Sequence, residues 1–278
     1  MRFTKMHGLG NDYIYFDCTK EDIQNPKELS IKLSDRHFGV GSDGVILIRP
    51  SHVADFRMSM FNADGSEGKM CGNGIRCVGK FVYDKGLTDK TDLTVETLGG
   101  IKTLKLFKEN GKVNMATVDM GKAVLTSKDI PVIFNKDRVV NETLNVMGND
   151  YRITCVSMGN PHCVTFVKDP YNMEFEKIGP AFENHEMFPE RINTEFVTAI
   201  DKNTVLMRVW ERGSGETWAC GTGACATVAA CVLNGYCDYD EEVTVKLRGG
   251  DLKITYTKDG YIFMTGPAVT VFEGEIEE

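Results

Sequence analysis

Two cysteine turns are the segments of this sequence best suited to chemistry. The motif Cys-Gly-x-Gly occurs at Cys71 and again at Cys220. The runs that follow, 75–85 and 224–234, are largely apolar and lack proline, and each is closed by a glycine that suits a left-handed C-cap. The pattern predicts that each cysteine lies at the N-terminus of a helix.

A cysteine in that position faces the unpaired N–H groups of the first helical turn and the positive end of the helix dipole, and both favour the thiolate. We therefore expect the pKa of Cys71 and of Cys220 to lie below about 8.5, the value of a free thiol. The glycines allow the backbone to approach a ligand closely, and the N–H groups can bind an anion such as an α-carboxylate. The alternative for either cysteine alone is an inert, buried thiol.

The two motifs belong to a longer internal repeat, because position 220 lies 149 residues after position 71 and other pairs share this spacing. These pairs are Glu67 with Glu216, Gly86 with Gly235, and Gly10-Asn11 with Gly159-Asn160. One residue out of this register, the segments 93–106 and 243–256 share an alternating pattern around Gly-Gly, which predicts matching hairpins. A repeat of this length indicates duplication of a whole domain.

Each half thus combines alternating strands, the cysteine turn, a helix and a hairpin, which indicates the α+β class and two homologous domains. We expect residues 1–120 plus 266–278 to form the N-terminal domain and residues 121–265 to form the C-terminal domain. The segment 269–276 has no repeat partner, so we expect it to return to the sheet of the first domain.

A pseudo-twofold axis between two such domains would place the two thiols on opposite sides of one ligand. Inversion of an α-carbon requires removal of a proton from one face and return of a proton to the other, so two acid/base groups of the same type are the minimum. The N–H groups at the helix starts would stabilise the negative charge that builds on the carboxylate. This chemistry needs no pyridoxal cofactor.

The halves differ at positions near the cysteines, which indicates a substrate with an asymmetric remainder. The unlike pairs at the repeat spacing are Asn62 with Glu211, Tyr13 with His162, and Gly44 with Asn193. Arg212 could bind a distal carboxylate in a bidentate manner, with Glu211 binding an ammonium group, and a structural ion pair is the alternative. His162 is either a site residue or a core histidine.

The composition limits the partners that we expect. The 278 residues include 32 Lys or Arg and 40 Asp or Glu, and the net charge of −8 argues against binding to nucleic acid or to an anionic membrane surface. No apolar run approaches the roughly 18 residues of a membrane-spanning helix, and the first residues do not resemble a signal peptide. Nine cysteines, an odd number without Cys-x-x-Cys, predict mostly free thiols and no metal site. We expect a small-molecule ligand and a cytoplasmic location.

These motifs together resemble the diaminopimelate epimerase family over essentially the full length of the chain. The segments that carry the resemblance are 6–13, 61–67, 71–77, 157–162, 211–216 and 219–225. The resemblance implies two domains, each a strongly curved, mostly antiparallel sheet around a central helix. It also implies a homodimer and a cleft that closes over the substrate.

The activity implied by the resemblance is the cofactor-independent interconversion of LL- and meso-diaminopimelate, in the synthesis of lysine and peptidoglycan precursors. Cys71 and Cys220 match the catalytic acid and base, which exchange roles with the direction of reaction. His162 and Glu211 match residues that modulate the thiols. The residues that match substrate-binding positions are Asn11, Asn62, Gly72, Asn73, Asn160, Asn193, Glu211, Arg212, Gly221 and Thr222. No ligand role is carried over to Gly44.

Three other functions remain open from the residues. A proline or hydroxyproline racemase would use the same pair of thiols, although Arg212 and the asparagines suit a second amino-acid head better. A thiol-redox protein would join Cys71 and Cys220 as a disulfide, which the lack of Cys-x-x-Cys disfavours. A non-catalytic binding protein could retain the duplicated architecture without using either thiol.

Overall fold

The computed structural model describes residues 1–277, and the chain divides into two compact units. One unit comprises Met1–Asp119 and the chain from Thr265 onward, and the other comprises Met120–Met264. Among the described residues, no helix combines the length and the apolar character that crossing a lipid bilayer requires.

The first unit is built from strands that pair in an alternating antiparallel and parallel order around one long helix. Its elements are β1 (Arg2–Gly8), β2 (Asn11–Asp17), α1 (Pro26–Ser34), β3 (Gly44–Arg49), β4 (Phe56–Asn62), β5 (Glu67–Gly68), α2 (Gly72–Asp84), β6 (Asp92–Thr97), β7 (Gly100–Glu109) and β8 (Lys112–Lys122). The β2–β3 and β4–β6 pairs are parallel. The β1–β2, β3–β4, β6–β7 and β7–β8 pairs are antiparallel.

The second unit repeats this order of pairing. Its elements begin after a short 3₁₀ helix (Ser127–Asp129) and are β9 (Glu142–Val146), β10 (Asn149–Ser157), β11 (Pro161–Phe166), α3 (Phe175–Glu183), β12 (Asn193–Asp201), β13 (Thr204–Glu211), β14 (Gly215–Glu216), α4 (Gly221–Leu233), β15 (Glu242–Leu247), β16 (Gly250–Tyr256) and β17 (Tyr261–Pro267). Here β11–β12 and β13–β15 are the parallel pairs. The same connectivity in both units confirms the prediction of a duplicated α+β fold.

The chain ends with β18 (Val269–Glu275), which pairs with β1 in the first unit. The rings of Phe3 and Phe272 meet edge to face with their centroids 5.9 Å apart. The backbone N–H of Ile276 donates to the carbonyl of Met1 at 2.9 Å. The tail therefore extends the sheet of the first unit at β1.

One helix in each unit follows its cysteine and is almost fully buried. The sequence of α4 is apolar on all sides, and the helix packs against β10, β11, β12, β13, β15 and β16. Both helices begin three residues earlier than the apolar runs indicated, because the glycines after each cysteine form the first helical turn. Gly86 and Gly235 follow the helix ends with φ of 71° and 77°, which confirms the predicted left-handed caps.

The predicted hairpins are also confirmed. Thr97 pairs with Gly100 in β6–β7, and Leu247 pairs with Gly250 in β15–β16, so each hairpin has a two-residue turn. Both hairpins lie directly after the buried helix of their unit, as the repeat requires.

Each unit has its own apolar core. In the first unit, Ile14 and Val45 pack with Leu33 of α1. In the second, Phe182 of α3 meets Phe196 of β12 edge to face, with their centroids 5.2 Å apart. Five cysteines outside the two repeated turns are buried free thiols, in agreement with the prediction of mostly free thiols: Cys18, Cys155, Cys163, Cys231 and Cys237.

Candidate active site

The first unit presents Cys71 as the N-cap residue of α2, in an extended conformation with φ of −127° and ψ of 120°. Its sulfur accepts a hydrogen bond from the backbone N–H of Gly74 at 3.3 Å, which caps the helix. The thiol donates to Oδ1 of Asn11 at 3.1 Å. Cys71 and Asn11, both predicted site residues, are thus in direct contact, and the thiol is only partly buried.

A network of charged side chains fixes Asn11 from behind. Its Nδ2 atom donates to Asp43 at 2.8 Å, and Arg36 donates to Asp43 at 3.0 Å and to Asp12 at 2.9 Å. Burial alone would raise the pKa of Asp12, but Arg36 and Lys5 outweigh it and hold that pKa below its ordinary value. The network therefore keeps the Asp12 carboxylate ionised and the amide of Asn11 oriented toward the thiol.

Tyr13 completes the surroundings of Cys71, at the position that matches His162 in the other unit. Burial, with the charges of Cys71 and Asp43, raises the pKa of Tyr13 well above its ordinary value, so the phenol stays protonated. A Cβ on Gly44 would lie 2.1 Å from the carbonyl oxygen of Phe61 and 2.9 Å from the Tyr13 ring. Gly44 therefore makes room for Tyr13 rather than supplying a ligand.

The other predicted site residues of this unit have structural bonds of their own. Asn73 is buried, and its Oδ1 atom accepts from Arg76 at 2.9 Å, while the carbonyl of Gly72 accepts from Arg76 at 3.0 Å. Nδ2 of Asn62 donates to Ser66 at 2.9 Å. Gly72 and Asn73 thus shape the first turn of α2, whose backbone N–H groups are the part suited to an anion.

The second unit presents Cys220 as the N-cap residue of α4, with φ of −117° and ψ of 110°. Its sulfur lies 3.5 Å from Oγ1 of Thr222. Glu211, at the end of β13, accepts hydrogen bonds from the Thr217 hydroxyl and from the Cys220 thiol. Burial raises the pKa of Glu211. The predicted residues Cys220, Glu211 and Thr222 therefore form one cluster.

The expected low pKa of Cys220 is wrong. Burial, followed by the charges of Glu211 and Glu195, raises the pKa of Cys220 well above its ordinary value. Hydrogen bonds from Thr222 and from the N–H of Gly223 lower it but do not compensate. The helix N-terminus is present as predicted, but the sequence did not show how completely the thiol is buried beside two carboxylates.

A chain of hydrogen bonds leads away from Cys220 into the core of the unit. Nδ2 of Asn160 donates to Oγ1 of Thr222 at 3.2 Å, and Oδ1 of Asn160 is 3.1 Å from Nε2 of His162. Nδ1 of His162 is 2.7 Å from Oε1 of Glu195, and both of these side chains are fully buried. His162 is therefore a core histidine that is also linked to the thiol.

Asn193 and Arg212 lie beside this cluster. Nδ2 of Asn193 donates to the carbonyl of Pro161 at 2.7 Å, and its Oδ1 accepts from the backbone N–H of Arg212 at 2.9 Å. The guanidinium of Arg212 donates through Nη1 to the backbone carbonyl of Glu190 at 3.0 Å. Asn193 thus joins the starts of β11 and β12 to the end of β13 and fixes the backbone from which Arg212 projects. Gly221 is the first residue of α4 and, like Gly72, contributes backbone alone.

Comparison with known protein families gives a match over both halves of the chain. A model of the family described as diaminopimelate epimerase matches residues 3–126 and 154–271. The chain belongs to the diaminopimelate epimerase family. The two matched segments each contain one of the cysteine turns, in agreement with the duplication.

Members of the diaminopimelate epimerase family are similar to this chain from end to end. A diaminopimelate epimerase of Methanococcus maripaludis is 60% identical, with both chains covered completely. A diaminopimelate epimerase of Acetivibrio thermocellus is 56% identical, over 100% of this chain and 99% of the relative.

Solved structures of other proteins share the fold. A phenazine biosynthesis protein of the PhzF family from Bacillus anthracis has a TM-score of 0.71 at 19% identity, covering 100% of this chain and 99% of the other. A hydroxyproline epimerase from Agrobacterium vitis, with bound trans-4-hydroxy-L-proline, has a TM-score of 0.69 at 13% identity, covering 99% and 90%. At such low identity these likenesses concern the fold alone.

Three residues near the cysteines were not identified as site residues from the sequence. Glu195 was not identified from the sequence, although it is the single charged residue of the segment 192–197. Asp43 is one residue before Gly44, and nothing in its spacing connects it to Asn11. Thr217 lies between the segments 211–216 and 219–225 and belongs to neither motif.

Proposed function

We propose that this protein interconverts LL-2,6-diaminopimelate and meso-diaminopimelate, with Cys71 and Cys220 as the catalytic acid and base and without a cofactor. Membership of the diaminopimelate epimerase family makes the chain an isomerase of this type. The observation that carries the two-cysteine mechanism is the N-cap position of one cysteine on the buried helix of each unit.

The chemistry of inversion suits this pair of residues. An α-proton must leave one face of the carbon and another must arrive at the opposite face, which two groups of the same type can do in either direction. One thiol must be a thiolate and the other a protonated thiol at the start of a turnover. The raised pKa of Cys220 favours its protonated form, so we propose Cys220 as the proton donor when the substrate first binds.

The helix starts supply the electrostatic part of the proposal. The first-turn N–H groups after each cysteine, at Gly72-Asn73 and at Gly221-Thr222, are suited to the carboxylate of the reacting carbon. Charge that builds on this carboxylate as the proton leaves would be stabilised by fixed donors that need no rearrangement. Removal of one such donor in an acyl-transfer enzyme costs about 10² to 10³ in rate.

The unlike residues around the cysteines support a substrate with a second amino-acid head. We propose Arg212 for the distal carboxylate, because a guanidinium can bind a carboxylate in a bidentate manner. A hydrogen bond to the backbone carbonyl of Glu190 orients this guanidinium. The side-chain amides of Asn11, Asn62, Asn160 and Asn193 are proposed to bind the remaining polar groups. Glu211 and His162 are proposed to modulate the Cys220 thiol, directly and through Asn160 respectively.

The test is incubation of the purified protein with LL-diaminopimelate in D₂O, without added cofactor, while NMR follows the α-position. We expect deuterium to enter as the meso isomer forms. Cys71→Ser and Cys220→Ser should each lower the rate by at least about 10³, because a serine hydroxyl is a far weaker acid/base group than a thiol. Wild-type rates in either variant would refute the two-thiol mechanism.

A matched control separates loss of a catalytic thiol from loss of any thiol. Cys231 lies on the same helix as Cys220 and is a buried free thiol in the core. Cys231→Ala should keep at least about a third of the wild-type rate. Proline and hydroxyproline serve as alternative substrates in the same assay, and faster exchange with either would favour the racemase.

We also propose that the protein acts in the cytoplasm, in lysine and peptidoglycan precursor synthesis, as a homodimer. The support for each is the family to which the chain belongs. Sedimentation velocity of the purified protein measures the oligomeric state, and a single species with the mass of one chain, 31.0 kDa, would contradict the dimer.

A further inference from the structure

Glu195 is a buried carboxylate to which the proposed reaction assigns no role. It lies on β12 and is fully buried, with its Oε1 atom 2.7 Å from Nδ1 of His162. Among residues 1–277, its Oε2 atom is buried and has no hydrogen-bond partner. An unpaired, buried carboxylate oxygen destabilises the folded state, so packing alone does not account for Glu195.

The repeat shows that this position does not require a polar side chain. The matching residue of the first unit is Ile46, whose Cδ1 atom lies 2.7 Å from the point where a Cβ on Gly74 would stand. In the second unit, Oε1 of Glu195 lies 2.5 Å from the corresponding point on Gly223. An isoleucine fills the space against the helix start in one unit, so the carboxylate in the other must act through its polarity.

The hydrogen bonds that begin at Glu195 have a defined direction. An amide oxygen can only accept, so Nε2 of His162 must carry a proton to bond with Oδ1 of Asn160. The amide nitrogen of Asn160 then donates to Oγ1 of Thr222. With its oxygen accepting this bond, the Thr222 hydroxyl has its own proton available for the sulfur of Cys220, 3.5 Å away.

We propose that Glu195 is a positioning residue for Cys220. The Glu195–His162 pair holds two protons, one between Oε1 and Nδ1 and one on Nε2, and the Nε2 proton fixes the orientation of the Asn160 amide. The oriented amide directs the hydroxyl proton of Thr222 to the sulfur, where it stabilises the thiolate. The role deepens the proposed function and rests on it, because a thiolate at Cys220 is one of the two states that the epimerisation requires.

The titratable groups around the hydrogen bonds that connect Glu195 to Cys220 lie on three strands. Cys220 is faced by Glu211 on β13, by Glu195 on β12 and, through hydrogen bonds, by His162 on β11. Glu195 is also faced by the thiol of Cys163 on β11. The charge of Glu195 alone raises the pKa of Cys220, so a purely electrostatic role and a positioning role predict opposite effects when the carboxylate is removed.

The experiment measures the rate at which iodoacetamide alkylates Cys220 as a function of pH, with mass spectrometry locating the modified cysteine. It uses the full chain without substrate, so it gives a result whether or not the protein epimerises diaminopimelate. Failure of the deuterium assay would therefore refute the proposed function and leave the alkylation profiles to decide the role of Glu195.

Four single variants and one double variant test the series of hydrogen bonds at both of its ends. Glu195→Leu and Thr222→Val should each move the Cys220 profile upward by about one pH unit, because the thiolate loses a hydrogen-bond donor. Their combination should move it no further than either alone, since both changes break the same chain. Glu195→Gln should leave the profile in place, because its amide can donate to Nδ1 of a neutral His162 that keeps the proton on Nε2, and this pair has the same zero net charge as the Glu195–His162 pair with its two protons. Thr222→Ser keeps the hydroxyl and should also overlay the wild type.

Three results of the alkylation experiment would overturn the proposal. A downward movement in Glu195→Leu would indicate that the carboxylate acts only by its charge. An equal upward movement in Glu195→Gln would indicate that hydrogen-bond direction has no part. Additive movements in the double variant would indicate that Glu195 and Thr222 act independently.

A measurement on the unaltered protein guards against a Glu195→Leu variant that does not fold. The chain has 5 histidines, and ¹⁵N NMR of the rings distinguishes protonated from unprotonated nitrogens. Nε2 of His162 should carry a proton throughout the pH range of activity, and in Glu195→Gln it should still do so. An unprotonated Nε2 in the wild type would refute the directed chain.

Discussion

Cys71 and Cys220 occupy matching positions, yet their thiols have different hydrogen-bond partners. The Cys71 thiol donates to the amide oxygen of Asn11, whereas the Cys220 thiol donates to the carboxylate of Glu211. An ionised partner stabilises the protonated thiol more than a neutral amide does, because deprotonation would place two negative charges together. The duplicated residues therefore begin with unequal affinities for the proton that they exchange with the substrate.

The carboxylate of Glu211 should be a main source of the high pKa of Cys220. In Glu211→Gln the like charge is removed and the amide can donate to the sulfur, so the pKa of Cys220 should fall. Thiolate then forms at lower pH, and the pH profile of Cys220 alkylation should move downward by about one unit.

Glu174→Gln is the matched control for this prediction. Glu174 lies on the surface of the same unit, with 80% of its side chain exposed, so its charge is screened by solvent. Its removal should leave the Cys220 profile unchanged. A downward movement as large as that of Glu211→Gln would assign the effect to net charge rather than to contact.

The sequence predicted some of these site residues and not the electrostatics around them. Repetition of Cys-Gly-x-Gly singled out both cysteines, and the same spacing brought out Glu211 and His162 as unlike neighbours. The pKa of Cys220 could not be predicted, because its direction depends on burial and on the approach of Glu195 from another strand. Glu195 has no sequence motif, and it is distinguished by its charge within the segment 192–197 and by its contrast with Ile46 at the repeat spacing.

At the scale of elements, the helices that carry the cysteines are defined by glycine at both ends. After α4, the N–H of Gly235 donates to Val232 and that of Tyr236 donates to Cys231, which closes the helix with a left-handed residue. Gly235 has φ of 77°, and a Cβ there would have no atom within 4 Å. Any cost of a side chain at this position must therefore come from the backbone conformation alone.

Gly235→Ala should destabilise the protein by roughly 1 kcal/mol, because an L-residue with a Cβ is strained in the left-handed conformation. Gly235→Asn should cost less, since asparagine tolerates that conformation better. The midpoint of urea unfolding, followed by circular dichroism, measures both variants. Equal stability of Gly235→Ala and wild type would contradict the role of the glycine as a cap.

Two shorter helices were not predicted, for physical reasons that lie outside the repeat. α1 has nine residues, and α3 has nine residues with Pro180 in its interior. A proline removes a backbone donor and ordinarily ends a helical pattern. α3 persists because Phe175 and Phe182 are buried in the core of the second unit, so tertiary packing outweighs local preference.

At the scale of the molecule, the two ends of the chain meet in one sheet. β18 pairs with β1 along its length, from Arg2 opposite Glu275 to His7 opposite Val269. The first unit is therefore completed by the last residues of the chain, although the second unit lies between them in sequence. Contacts of such large separation in sequence cost loop-closure entropy, and they form only when the rest of the unit can receive the strand.

Removal of β18 should consequently destabilise one unit selectively. In a chain that ends at Ala268, β1 loses its partner and the Phe3 ring loses its contact with Phe272. Amide hydrogen exchange in β1 should accelerate by at least about tenfold, which corresponds to roughly 1.4 kcal/mol of local stability. Exchange in α4 should remain slow, because the main packing partners of that helix are β10 to β13, β15 and β16 in the second unit. A chain that ends at Ile276 is the control, since it retains β18 and the Ile276–Met1 hydrogen bond and should exchange as the full chain does. Acceleration of the same size in β1 and in α4 would show that the two units unfold together, and unchanged exchange in β1 would show that the pairing with β18 contributes no stability.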